Sequence, residues 1–519
     1  MPASLESYDQ VPYHSGPFRQ THPCHLAVLP VLFGLKPPPV RTARVLELGC
    51  ASGGNLIPMA QDLSEGEFLG IDLSARQIAE GRGIVAELQL DNIELRHASI
   101  LDVDASFGRF DYVLCHGVYS WVPRPVQDKI LEIGAANLRP GGLCYVSYNT
   151  FPGWHLRGVV REMMRYHVAQ FDDPQTRIDQ ARCLLDFLAQ SQTPRSAAYR
   201  QLLADEAHIL GRHSDSYLFH EHLEEVNEPL YFHEFAERAA NAGLAYLGDA
   251  DFSTMLADNF DAQTAAILRD APFLRQEQYM DFLRSRMFRG SVLCHAGTAF
   301  NCNVPSTRLA GCHLALVVRL PLDGAPTADE VKVTLGHDTI TASQPVTKAA
   351  LAVLNQVWPT SLHFNQLFDQ ALERQAGGSP PAGDGDAALQ RQILATDLMT
   401  LFSRGLLLAL IDPPSLTTRP GPQPQTTPLV RLQARRGSIV TNRRHQSLQL
   451  SDLSRALVRR LDGTRNRSAL ADWLAGAVAR GEFRVQREQQ PLSEVDGRTL
   501  QTILEAALQS LAESALLVA

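Results

Sequence analysis

The sequence predicts an α/β fold: a doubly wound sheet of seven strands with a helical insertion, followed by smaller α+β modules of winged-helix type. Three observations carry this reading. Between residues 43 and 149, short apolar strands alternate with amphipathic helices, the rhythm of a parallel sheet covered on both faces. Strand-like sequence returns at 244–247 and 291–295 after a purely helical stretch, so that stretch reads as an insertion into the sheet domain. Two segments rich in Pro, Gly and small polar residues, 376–386 and 413–428, then break the second half of the chain.

Strands are expected at 43–49, 67–73, 93–99, 110–117 and 142–149, with helices at 53–63, 74–90 and 125–138 between them. The insertion, about 154–212, reads as three helices at 154–171, 176–190 and 196–212; Leu184, Leu185 and Leu188 recur at helical spacing in the second. A helix over 232–242 leads into the sixth strand. Farther on, strands are expected at 313–320 and 331–335 and helices at 348–357 and 364–375. The expected domains are therefore 1–300, a middle α+β domain at 301–375, a flexible linker at 376–386, and a winged-helix-like domain at 387–519.

Composition narrows the function classes. A chain of 519 residues with 45% apolar and 20% charged residues is ordinary globular material, which excludes wholesale disorder, collagen and coiled coil. Against 56 acidic residues stand 47 basic ones, a net charge of −9, so a nucleic-acid partner is not expected from the total. No apolar run reaches the length of a spanning helix, and residues 1–20 lack the basic start and apolar core of a signal peptide; no membrane association is expected. Eight cysteines without a CxxC pair indicate reduced thiols and a cytoplasmic location. Cys294, His295, Cys302, Cys312 and His313 fit no zinc spacing, His220, His222 and His233 lack HExxH spacing, and no metal is expected. The charge is uneven: residues 431–467 hold ten arginines against Asp452 and Asp462, a local excess of +8 that leaves −17 for the rest. Such a stretch reads first as a solvated face and second as a docking surface.

The chemistry-bearing motif closes the first strand: Val45-Leu46-Glu47-Leu48-Gly49-Cys50-Ala51-Ser52-Gly53-Gly54-Asn55. Small residues between a strand and a helix permit close backbone approach to a ligand at the strand's carboxyl end. Twenty-three residues after Gly49, the second strand ends Gly70-Ile71-Asp72-Leu73-Ser74; an acid at this tip is where doubly wound nucleotide folds hold a ribose diol. No third glycine follows a G-x-G pair at the spacing a pyrophosphate requires, which disfavours a nicotinamide dinucleotide.

This arrangement resembles the class I S-adenosylmethionine-dependent methyltransferases, with Ala51 in place of the middle glycine of their first motif. Longer segments narrow the resemblance: Tyr13-His14-Ser15-Gly16-Pro17-Phe18, His116-Gly117-Val118-Tyr119-Ser120-Trp121, Ser147-Tyr148-Asn149-Thr150-Phe151-Pro152-Gly153-Trp154, and Pro229-Leu230-Tyr231-Phe232-His233-Glu234-Phe235. These look like the bacterial methyltransferases with a methyltransferase regulatory domain, a group that includes the rickettsial protein lysine methyltransferases. The regulatory-type segment would span about 213–300.

The resemblance implies S-adenosylmethionine as cofactor. Gly49, Ala51 and Gly53 would sit under its methionine part, and Glu47 would orient the loop or the ammonium group. Asp72 would accept both ribose hydroxyls, and Ser99 and Ile100 would face the adenine. Cys50, Asn55, Leu73, Gln77, His116 and Gly117 would also contact the cofactor. The acceptor would lie beyond strands four and five, against His116, Tyr119, Trp121, Tyr148, Asn149 and Trp154, with His116 the candidate base and Tyr13 on a lid. Each aromatic is read equally as packing beneath the insertion. The expected activity is methyl transfer to a protein lysine by in-line displacement. A small-molecule acceptor and a non-catalytic cofactor-binding protein are the alternatives. A homodimer through the helical insertion is expected, because exposed apolar helix faces need a cover.

Overall fold

The computed structural model describes residues 15–518 apart from 192–195, 321–330, 336–337, 377–383, 484–485, 488–489 and 492–495. The described residues form two compact units, one within residues 15, 36–60 and 65–302, the other within residues 16–35, 61–64 and 303–518. Tyr13 lies outside the described residues.

The first unit is built on a seven-stranded sheet in the order β3-β2-β1-β4-β5-β7-β6. Its strands are β1 (Arg44–Leu48), β2 (Glu67–Asp72), β3 (Ile93–His97), β4 (Phe110–Cys115), β5 (Leu138–Asn149), β6 (Leu244–Asp249) and β7 (Phe288–His295). The first five run parallel, as their alternation with helices α1 (Leu56–Asp62), α2 (Ala75–Leu88) and α3 (Arg124–Ala136) demands. β7 enters antiparallel between β5 and β6. The order reverses between β1 and β4, so the carboxyl ends of these two strands flank the switch point where open α/β sheets bind ligands. Nearly uninterrupted apolar runs explain the buried centre: Val45, Leu46 and Leu48 of β1 and all six residues of β4 are buried.

The insertion consists of α4 (Gly153–Val168), α5 (Pro174–Gln190) and α6 (Ala197–Leu210). Asp173 caps α5 by accepting from the Thr176 amide at 2.8 Å. Val160, Met164, Ile178, Leu185 and Leu203 form its own small core. Beyond it, α7 (Phe232–Asn241) leads into β6, and α8 (Phe273–Arg284) into β7.

A buried ionic knot ties α8 to the end of the sheet. Arg289 on β7 is fully buried; it donates to both Asp281 carboxylate oxygens at 2.8 Å and to Glu277 at 3.1 Å. Tyr246 donates to the same Glu277 oxygen, and Arg286 pairs with Asp249 at 2.8 Å. The Arg289 guanidinium also lies 4.1 Å from the centre of the Phe232 ring. Bidentate geometry and multiple partners are what let such charges remain away from water.

In the second unit, β8 (His313–Leu316) pairs antiparallel with β11 (Leu362–His363) and β12 (Leu407–Leu410), and β9 (Val331–Leu335) with β10 (Asp338–Ala342). Helices α9 (Pro345–Gln356), α10 (Phe364–Ala376) and α11 (Asp384–Ser403) accompany them. Residues 377–383 of the expected linker lie outside the described residues; the flanking backbone is helical to Ala376 and again from Asp384. The acid-rich first turn suits a helix N-terminus, and Asp386 accepts from Gln390 at 2.8 Å.

The last part is a winged-helix domain: α12 (Pro428–Arg436), the hairpin β13 (Ile439–Thr441) and β14 (Ser447–Gln449), α13 (Asp452–Val458), α14 (Arg467–Ala479) and α15 (Gly497–Glu513). Val430, Leu457, Leu470, Leu504 and Leu508 make its core. The arginine run of 431–467 departs from a uniformly solvated face. Arg435 and Arg436 are exposed, but Arg455 donates to the Ala434 carbonyl at 2.8 Å, Arg460 covers the Trp473 ring at 4.1 Å, and Arg467 pairs with Glu505 at 2.8 Å. Local tertiary contacts absorb much of the excess that the sequence displays.

Candidate functional site

At the end of β1 the backbone turns through three left-handed residues, Gly49 (φ 76°), Ala51 (φ 51°) and Gly53 (φ 78°). Two of the three are glycines, which adopt this conformation without a Cβ penalty. A side chain at Gly49 would also meet Val118, its Cβ lying 2.4 Å from a Val118 methyl. The Gly49 and Cys50 amides both donate to the Ile71 carbonyl, at 2.9 and 3.0 Å, so the turn hangs from β2.

Asp72 completes that anchorage. One carboxylate oxygen accepts from the Ala51 amide and the other from the Ser74 amide, each at 2.8 Å. A carboxylate oxygen accepts more than one hydrogen bond, so this acid can fix the loop and still receive a diol. Ser74 caps α2 by accepting from the Gln77 amide at 3.2 Å. Leu73 is 45% exposed beside Asp72, while Gln77 is buried.

Glu47 points from β1 into the loop. It is buried, and its Oε1 accepts from the Asn55 side-chain amide at 2.7 Å. Its Oε2 is buried with no hydrogen-bond partner among the described residues. Burial pushes the carboxyl up to about 7, opposed by the Asn55 hydrogen bond and helped by the charge of Asp72. An orphaned carboxylate oxygen at the base of a glycine turn fits a ligand ammonium group; with the diol-competent Asp72 and the open cradle of small residues, the site fits S-adenosylmethionine.

The other predicted residues divide by surroundings. Ser99 and Ile100 are half-buried after β3, where Ser99 forms a capping box with Asp102. Gly117 is exposed and left-handed (φ 68°), and its amide donates to Ser147 at 2.8 Å. His116 is half-buried; its Nδ1 shares a hydrogen bond with the Tyr145 hydroxyl at 3.0 Å, and burial holds its imidazole below the usual histidine range. Asn149 is buried and donates to Asn227 at 3.0 Å. Trp121 meets Trp154 edge-on, 6.1 Å between ring centres. Tyr119 and Tyr148 sit in the core against Phe235, with Tyr148 stacked at 4.1 Å.

Sequence reasoning missed several supports. Ser15 accepts from the Gly54 amide at 2.8 Å, which places the first described residue on the glycine loop. Phe288, 42% exposed, stands edge-on to His116. Phe151, His155, Tyr231 and Phe282 pack ring against ring. No local motif announces Phe288, because it reaches the site through the antiparallel pairing that sets it opposite Asn149.

Comparison with known proteins agrees with this geometry. A methyltransferase-domain model matches residues 45–142, a predicted methyltransferase regulatory domain matches 214–295, and the C-terminal winged helix domain of PKMT matches 423–516. The fold and site define a class I S-adenosylmethionine-dependent methyltransferase. The structure of PKMT2 from Rickettsia typhi covers 98% of this chain and is itself covered completely, at 30% identity and a TM-score of 0.88. The same protein in complex with AdoHcy superposes with a TM-score of 0.86. An uncharacterised protein of Rickettsia prowazekii is 34% identical over 99% of this chain and 94% of its own length. The chain belongs to the PKMT2 family of methyltransferases. The regulatory match spans β6 and β7, so this segment supplies two strands of the catalytic sheet.

The raised carboxyl of Glu47 makes a pH-dependent prediction. A folded-state value of about 7, above the ordinary 4.5, favours the folded protein fully below pH 4.5 and loses that contribution as pH rises through 7. Glu47→Gln removes the titration. In the ligand-free protein its stability relative to the parent should grow by roughly 3 kcal/mol between pH 4.5 and 8. Urea denaturation across that range checks this; parallel curves would contradict it.

Proposed function

We propose that the chain methylates lysine side chains of a protein substrate. The observation that carries the reading is the likeness to PKMT2 along the whole chain, the PKMT winged-helix domain included. An acceptor confined to a small molecule would leave that extent of accessory structure without a task.

In this reading Gly49, Cys50, Ala51 and Gly53 give backbone to the cofactor's methionine part, and Glu47, oriented by Asn55, receives its ammonium group. Asp72 receives the ribose hydroxyls, Leu73 and Gln77 flank them, and Ser99 and Ile100 border the adenine. When bound, the cofactor supplies an electrophilic methyl on a sulfonium. An acceptor amine would have to reach that methyl already deprotonated and in line with it. His116 and Gly117 border the methyl. A half-buried, weakly basic His116 suits an acceptor of an amine hydrogen bond better than a strong base. Trp121 and Phe288 offer ring faces to the lysine stem, and Asn149 a side-chain oxygen, while the buried Trp154 supports Trp121 edge-on. Tyr119 and Tyr148 act by packing behind them. Positioning and exclusion of water supply most of the acceleration.

Incubation with methyl-labelled cofactor and bacterial protein should yield N-methyllysine on hydrolysis. Trp121→Ala should lower turnover by more than about tenfold while cofactor affinity stays the same. Label confined to small molecules would overturn the protein-lysine reading.

We further infer a homodimer through the helical insertion, in the cytoplasm. Leu156, Val159 and Tyr166 line one face of α4 at helical spacing, and Tyr166 (89%) and Phe187 (69%) are the most exposed large apolar residues described. All eight cysteines are free thiols. Light scattering should give twice the chain mass, falling to one in Tyr166→Glu; a monomeric parent would contradict the dimer.

A further inference from the structure

The second unit holds a feature that methyl transfer does not use. Segment 16–35 and the turn between β13 and β14 wall a narrow recess of about 450 Å³ of space that opens to solvent. Six nitrogen-bearing side chains line it: Arg19, His22, His25, Arg443, Arg444 and His445. Among the described residues no carboxylate lines it.

We propose that this recess binds a small free oxyanion of the phosphate or sulfate type. Arg443 has a partner nearby, Asp62 at 3.2 Å. Arg444 is placed differently. Its guanidinium lies 4.5 Å from the centre of the Trp358 ring and donates to the Leu316 carbonyl at 3.0 Å. The charge acting on it is that of Arg19, another cation, and burial with this repulsion draws it down to about 10. His25 is pushed well below the usual histidine range by burial and by Arg19, His22, His445 and Arg444.

These surroundings favour one kind of ligand. The imidazoles are neutral, and each neutral ring keeps one N–H to donate. In His22 the Nδ1 accepts from the Cys24 amide at 3.2 Å, so its proton is on Nε2. Arginine N–H groups and the one N–H of each neutral imidazole give a donor-rich lining suited to charge-assisted bonds with an oxyanion. A cation is repelled, and no described group of three or more His, Cys, Asp or Glu residues could hold a metal. The space in the recess that water can occupy is about 30 Å³, room for about two waters, so an inorganic tetrahedral anion is seated within it and the bulky group of an ester would have to lie outside. The anion would offset like charges from two segments far apart in sequence, so its binding stabilises the second unit.

The test is thermal unfolding of the full chain at pH 7.5 in sodium phosphate and in sodium chloride of equal ionic strength. Phosphate should raise the melting temperature saturably by a few degrees, roughly the effect of ligand well above its dissociation constant, and sulfate should do the same. Arg444→Gln should abolish the increment. If that variant does not fold, His25→Gln should reduce the increment in its place. Equal shifts in chloride, an undiminished increment in a folded variant, or tighter binding of O-phosphoserine than of inorganic phosphate would each overturn the proposal.

Discussion

One carboxylate holds the cofactor end of this protein in shape. Asp72 accepts the Ala51 amide with one oxygen and the Ser74 amide with the other, and so joins the loop after β1 to the loop after β2. Hydrogen bonds to a charged group contribute about 1.5–3 kcal/mol each, enough to fix a turn that has left-handed Ala51 at its centre. The consequences spread outward from this point. With the turn fixed, Gly49 lies against Val118 in the loop after β4, and the small residues open toward the switch point of the sheet. Glu47 is then sealed beneath the loop with Asn55 as its one hydrogen-bond partner among the described residues, and its charge becomes costly until a cation arrives.

The proposed acceptor end depends on a different constraint. The segment after β5 hangs from the start of β7: the Thr150 amide donates to the Met287 carbonyl at 2.9 Å and the Gly153 amide to that of Arg286 at 3.0 Å. Arg286 and Arg289 are in turn locked by Asp249, Asp281 and Glu277. The ionic knot thus sets the height of Asn149, Trp154 and Phe288 along one edge. This explains in physical terms why a segment matched as a regulatory domain is inseparable from the catalytic sheet. Removing either strand would leave buried charges without partners, at about 3–5 kcal/mol for each pair broken.

Much of this was legible in the sequence, for identifiable reasons. The parallel strands carry apolar runs and the helices carry periodic ones, so β1 to β5 and the three insertion helices fall within a few residues of their expected places. The glycine turn, Glu47 and Asp72 announce themselves because a close-approach loop tolerates few residue types. The acceptor side is harder to read. Tyr119, Tyr148 and Trp154 look the same in sequence as Trp121, yet all three are buried, Tyr119 edge-on to Phe235 and Tyr148 stacked on it, while Trp121 is half-buried. Phe288 and Ser15 act through contacts distant in sequence, which no local pattern encodes. The arginines of 431–467 mislead in the same way, since a charge count cannot distinguish Arg436 on the surface from Arg460 laid over Trp473.

The most direct measurement is calorimetric binding of S-adenosylhomocysteine to the parent and to Asp72→Ala. Losing the loop anchorage and the diol acceptor together removes two or more charge-assisted hydrogen bonds. Affinity should fall by at least about 100-fold, with the far-ultraviolet circular dichroism unchanged. An affinity within about threefold of the parent would contradict the account, because the site would then not depend on the carboxylate that organises it.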